Sequence, residues 1–168
     1  MKNKLFKSVI LIIIFVLIIM AAYYLIINSN LLVKEQNVKL YFSTSDAMYL
    51  DTEDRTVKGR NIYLETVNAL IKGPITSDLV KTIPDDVEVL NISKNNDTIQ
   101  VDFSEEIITN HWGGSSGEIL TVYSIVNTLT QFEGIKRVEV LVEGKEVETL
   151  VGHMDLSVPI ESNQDIIK

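Results

Sequence analysis

The chain has no cysteine, only two histidines, and a deficit of positive charge. The missing cysteine excludes a disulfide scaffold, a thiolate zinc site, a thiol nucleophile and a lipid-modified cysteine. Two histidines, His111 and His153, are too few for a His-rich metal centre. With 15 basic against 23 acidic residues the net charge is −8. That excludes the basic face a nucleic-acid binder needs. A mean hydropathy of +0.18 in a chain that is 23% charged requires apolar residues to be concentrated somewhere.

They are concentrated at residues 9–27, VILIIIFVLIIMAAYYLII, without a charge, glycine or proline. At ~1.5 Å per residue this run spans roughly 28 Å, the thickness of a bilayer's hydrocarbon core. Lys2, Lys4 and Lys7 precede it with no acidic residue. The positive-inside rule then places residues 1–8 in the cytoplasm and the remainder outside. A cleaved signal peptide needs a shorter apolar run and a small-x-small site. Ala21-Ala22 are instead followed by Tyr23, Tyr24 and further apolar residues, so an uncleaved transmembrane signal anchor is expected. The first 27 residues hold three of the basic residues and none of the acidic ones. The remainder therefore has 12 against 23, a net of −11. Anionic head groups repel such a domain.

Residues 28–36 read as a polar link, 37–157 as one domain, and 158–168 as a C-terminal tail. Alternation predicts strands over 38–42, weakly over 54–58, and over 87–93, 98–103, 137–142 and 146–150. Residues 61–72 and 116–131 carry helical spacing. The first buries Tyr63, Val67, Leu70 and Ile71; the second buries Ile119, Val122, Tyr123, Val126 and Leu129. Gly73-Pro74 stops the first helix, and Ser115 with Glu118 has capping-box spacing at the start of the second. The expected fold is α+β: a small mixed sheet of about five to six strands, both helices on one face, behind one transmembrane helix.

Candidate chemistry is sparse. Gly113 to Gly117 resembles an anion-binding turn, but no P-loop lysine follows. Ser115 or Ser116 as nucleophile would need His111 as base, in no known triad spacing. His153 and Asp155 are two ligands short of a metal site. Asn127 and Thr128 lie beside an apolar stripe, where such residues usually satisfy backbone groups. Asn91 and Asn96 begin glycosylation sequons, which matter only in a eukaryotic secretory pathway. No catalytic residue, cofactor or metal is expected, so an enzyme is not expected.

Seven stretches, taken in order, resemble one family. They are residues 69–74 (ALIKGP), Ile83-Pro84 ahead of a hairpin strand, 101–104 (VDFS), 113–118 (GGSSGE), 125–130 (IVNTLT), 140–144 (VLVEG) and 152–156 (GHMDL). Together they resemble the GerMN domain of GerM-type sporulation and germination proteins, over residues 38–159. The pattern positions are Gly73, Pro74, Pro84, Asp102, Gly113, Gly114, Gly117, Glu118, Asn127, Gly144, Gly152 and His153, with structural or interaction roles. The resemblance implies a bacterial, extracytoplasmic, non-catalytic module. In the GerM type it is tied to the complex joining mother cell and forespore, and its fold is similar to ring-building domains of secretion machines. The GerM type is a lipoprotein with two such domains. This sequence shows one domain and no acceptor cysteine, and its transmembrane helix would replace the lipid. The implied partners are envelope or sporulation-complex proteins, ring-forming ones included. Contact along sheet edges or helix surfaces, with a less acidic or basic protein, is expected. Neither nucleic acid nor a small-molecule substrate is expected. The alternative is an envelope ligand-binding module for cell-wall glycan or peptide.

Overall fold

The computed structural model describes residues 2–28 and 33–168. The chain divides into two units, Met1–Val33 and Lys34–Lys168. The first holds α1, Lys2–Asn28. Its stretch Ile10–Ile27 has a mean hydropathy of 3.2 and is long and apolar enough to cross a membrane, as a signal sequence also can be. Of the expected link 28–36, residues 29–32 lie outside the described residues. Residues 34–36 already belong to a strand.

The second unit opens with a long hairpin. β1, Lys34–Thr44, pairs antiparallel with β2, Leu50–Gly59, from Lys34↔Gly59 to Ser43↔Leu50. Val38, Leu40 and Phe42 are buried, as their alternation predicts. Both strands run well beyond the expected ranges. Backbone pairing needs no particular side chain, and most of the added residues are exposed or half-buried polar ones. After the hairpin Asn61 caps α2, Ile62–Lys72, by accepting a hydrogen bond from the Leu64 N–H. Gly73, at φ 89°, ends it. β3, Leu79–Val80, then pairs with the end of β1, completing a sheet ordered β2-β1-β3.

The second sheet begins with β4, Val89–Asn95, and β5, Thr98–Phe103, an antiparallel hairpin turning at Asn96 and Asp97. The short helix α3, Glu106–Thr109, and the long α4, Ser115–Thr130, carry the chain across to β6, Arg137–Val142, parallel to β5. Buried residues alternate with half-buried ones in both strands, with Ile99, Val101, Phe103, Val138, Val140 and Val142 inside. Glu143 and Gly144, both at positive φ, form the tight turn into β7, Lys145–Glu146. The hairpin stops there rather than at residue 150.

Residues 158–168, expected as a tail, are part of the fold. β8, Ile160–Glu161, pairs antiparallel with the start of β6. Leu50 of β2 donates to the Ile166 carbonyl and accepts from the Lys168 N–H. Backbone hydrogen bonds hold this segment, and a polar composition does not forecast those.

The class is α+β, but the strands form two sheets where a single sheet was expected. Both long helices touch both sheets. α2 meets β1, β2 and β4, and α4 meets β1, β6 and β8. α4 is consequently buried nearly all round, its expected single stripe widened by Thr121, Ser124, Ile125, Asn127 and Thr128. Its polar side chains act as connectors. Gln131, just past its end, exchanges two hydrogen bonds with the Lys39 backbone of β1, at 2.8 and 2.7 Å, and Thr128 accepts from the Tyr41 N–H. These side chains satisfy backbone groups of β1 along the stretch that β3 does not reach. Asn127 grips residue 163 in the same way, donating to its carbonyl and accepting from its N–H, each at 3.0 Å.

Replacing Asn127 with Ala should cost about 2 kcal/mol, through two lost hydrogen bonds and the backbone groups left unpaired. Urea unfolding measures the loss. Hydrogen exchange should show it concentrated at residues 160–168.

Candidate functional site

Six of the twelve pattern residues, Gly113, Gly114, Gly117, Glu118, Gly152 and His153, gather at the N-terminal half of α4. Gly113 and Gly114 lie at φ 76° and 79°, a region that side chains resist, and they swing the chain into the helix. Gly114 occupies the cap position with no side-chain cap. The capping box expected of Ser115 and Glu118 is therefore absent. Glu118 is fully buried and points to another partner. One carboxylate oxygen accepts from the Thr149 hydroxyl (2.5 Å) and from the N–H groups of Leu150 (2.7 Å) and Val151 (3.1 Å). The other accepts from the N–H of His153 at 2.7 Å. Burial pushes this carboxyl up, but the four donors outweigh it and hold the group below the ordinary glutamate value.

This cradle explains the Gly152-His153 stretch. The backbone N–H groups of Leu150, Val151 and His153 turn to Glu118, and that of Gly152 donates to the Thr149 hydroxyl. Gly152 at φ 97° permits the curl. His153 contributes its backbone N–H. Asp155, the expected metal partner of His153, accepts from the N–H and hydroxyl of Ser157 at 2.9 and 2.6 Å. No group of three or more His, Asp or Glu able to hold a metal occurs among the described residues. A groove of about 510 Å³ lies over this loop, lined by Thr149, Gly152, His153 and Asp155 among others.

His111 serves as a spacer rather than as the base for Ser115 or Ser116. Its Nδ1 accepts from the Gly113 N–H at 3.0 Å, and its Nε2 lies 3.1 Å from the Thr121 hydroxyl. That hydroxyl donates to the Thr82 carbonyl at 2.6 Å, so its oxygen accepts, and Nε2 carries the proton. Burial holds the imidazole below the ordinary histidine value, and the Glu118 charge opposes this. Gly117 belongs to the same contact, since a Cβ there would sit 3.6 Å from the ring. Trp112 stacks obliquely on His111 at 5.9 Å yet is 59% exposed. It borders a second groove of about 450 Å³, floored by Gly117, Leu120 and Thr121 of α4.

The remaining pattern positions lie elsewhere and hold turns. Asp102 accepts from the Gly144 N–H at 2.8 Å, fixing the β6–β7 turn. Pro84 is buried in the segment whose Thr82 carbonyl meets α4. Gly73-Pro74 leads into a loop that the sequence reading did not connect to anything. Glu53 of β2 pairs with Arg55 and accepts from the N–H groups of Ile75 and Thr76, both at 2.8 Å, while Arg55 donates to the Gly73 carbonyl. Burial opposes the Glu53 charge, but Arg55 and the loop donors bring its pKa down to about 2. Glu53, Arg55, Thr121 and Thr149 were all missed. The one available signal was two opposite charges, two apart on one strand face.

Both depressed carboxylates stabilise the fold fully above the ordinary glutamate value and lose that contribution as pH falls through their folded values. Urea midpoints should therefore drop between roughly pH 4.5 and 2. Glu53→Gln should remove part of this slope, on the order of 2 kcal/mol after allowance for solvent screening. Glu118→Gln should cost more, because an amide donor then faces backbone N–H groups. For His111, nitrogen NMR should show the Nε2-protonated tautomer, with titration below the free-histidine value. Thr121→Val should release that constraint.

A family model, Germane, described as sporulation and spore germination, matches residues 39–148. No match is found among curated proteins. Similar solved structures include the following three. A protein described as a lipoprotein from Clostridium perfringens is 27% identical, with a TM-score of 0.57, covering 79% of this chain and 90% of that one. The tandem GerMN domains of the sporulation protein GerM from Bacillus subtilis give 22% identity and a TM-score of 0.62, covering 77% of this chain and 46% of that one. The first of those domains alone gives 21% and 0.59, covering 77% and 98%. The fold is thus that of a GerMN domain. With the family model spanning most of the unit that carries the Glu118 cradle, this chain belongs to the Germane family of sporulation and spore germination.

Proposed function

We propose that the chain is a membrane-anchored, extracytoplasmic protein-interaction module of the bacterial envelope, acting in sporulation or spore germination. The observation that carries this reading is where the pattern residues point. Glu118, Asp102, Asn127 and the His153 N–H are all engaged in internal bonds that fix surface loops. Residues used this way make a rigid presented surface rather than a reaction centre. α1 supplies the anchor, and Lys2, Lys4 and Lys7 set its orientation. The lipoprotein description of the Clostridium perfringens structure supports membrane attachment as a shared theme. Tethering raises the local concentration of neighbours, so weak contacts suffice.

The competing reading is a ligand-binding module for wall glycan or peptide, favoured by the exposed Trp112 beside a groove. Two experiments test the proposal. N-terminal sequencing of membrane-extracted protein should find residues 1–27 retained; a mature start after Met20 would remove the anchor. Cross-linking and pull-down from cells at successive growth stages should recover envelope or sporulation proteins. Recovery of wall fragments alone, with binding to purified wall material, would favour the competitor. Ser115→Ala and Ser116→Ala should leave any cellular phenotype intact.

A further inference from the structure

The groove beside Trp112 has a composition and a border that select its occupant. Ala47, Val80, Trp112 and Leu120 make it largely apolar, and Val80 and Trp112 are 48% and 59% exposed. Met48 and Tyr49, next along the chain from Ala47, are also exposed. Exposed apolar side chains lining a groove mark an interaction site, and Trp is among the residues enriched at binding hot spots. Val80 lies on β3, which ends the sheet β2-β1-β3 and has no strand on its outer side among the described residues. An extended segment laid along β3 would place alternate side chains in the groove.

The polar lining argues against a sugar. Ser43 donates to the Thr44 carbonyl, Lys81 pairs with Asp85, and Thr121 is held between Thr82 and His111. Among the buried side-chain atoms of the lining, the Thr82 hydroxyl has no hydrogen-bond partner. Inside the groove that leaves one spare buried group, fewer than the several convergent groups a glycan site presents. The chain next to the lining is rich in acid. Asp46, Asp78 and Asp86 lie one or two residues from lining residues, Lys168 acts on Asp46, and Lys81, the cation in the lining, is already paired with Asp85. A second copy of this unit, with a net charge of −11, would meet like charge.

We infer that this groove docks an extended segment of another protein, in which apolar side chains alternate with Lys or Arg, added along β3 with one apolar side chain against Trp112. The inference rests on the interaction-module reading and names its site and partner chemistry.

Trp112 is the single tryptophan of the chain, so intrinsic emission reports on this groove alone. The full chain in detergent micelles is panned against a random peptide library displayed on phage, and an enriched peptide is synthesised. The enriched sequences should alternate apolar residues with Lys or Arg, and the peptide should shift Trp112 emission to the blue. Val80→Lys should weaken binding roughly tenfold, since it places a charge at the apolar edge. The double variant Asp78→Asn with Asp86→Asn, chosen at exposed positions, should weaken it several-fold, as should raising the salt. Circular dichroism confirms that each variant is folded. Absence of enrichment, enrichment of acidic sequences, or binding unchanged by Val80→Lys overturns the inference. So does an emission shift produced by wall glycan fragments, or a dimer in sedimentation that Val80→Lys abolishes. Cross-linking separates the two levels. A partner captured equally by the parent and by Val80→Lys refutes the groove alone, whereas no partner captured by the parent refutes the interaction-module reading itself.

Discussion

The buried carboxylate of Glu118 organises one whole end of the outer unit. An ionised group with no exposure is unfavourable by several kcal/mol unless donors surround it. Here one hydroxyl and three backbone N–H groups, all from residues 149–153, supply that surround. The arrangement works in both directions. The loop stabilises the charge, and the charge gives a common destination to backbone groups that would otherwise need a strand partner. The left-handed Gly152 and the placement of the 148–157 groove follow from it.

α4 extends the same logic along its length. A helix covered on both sides by sheets has no solvent face on which to place its polar residues. Each must then meet a partner or be replaced by an apolar one. This helix uses them as connectors: Glu118 to the 149–153 loop, Thr121 to the Thr82 segment, Asn127 to residue 163, and Thr128 to β1, with Gln131 just beyond its end. The two sheets share no strand, so the packing of α2 and α4 joins them, aided by the C-terminal residues that touch both β6 and β2. The family pattern therefore records where loops are fastened.

Much of the fold was legible because it is periodic. Ile99, Val101 and Phe103, and Val138, Val140 and Val142, alternate as half-buried strands must, and they are the buried faces of β5 and β6. The 3.6-residue spacing of Val67 and Leu70, closed by Gly73, located α2. β2 was barely visible because its charged residues face solvent or an ion pair, so that only Leu50 and Val57 report burial. The capping box was misread because Ser-x-x-Glu has the same spacing whether the carboxylate turns back to the helix start or outward to another loop. Direction is not a property of spacing.

Local sequence determined what short-range physics controls: an apolar run long enough to cross a membrane, strands and helices set by the period of their hydrophobic residues, turns set by Gly and Asn, and a surplus of acid. Tertiary structure decided whatever depends on residues distant in the chain. It divided the strands into two sheets, covered both faces of α4, drew residues 158–168 into the fold, and assigned Glu118, Glu53 and His111 their partners. The physical reason is that a buried polar group takes whichever donor or acceptor the packed chain brings within about 3 Å, and sequence neighbours alone do not specify that partner.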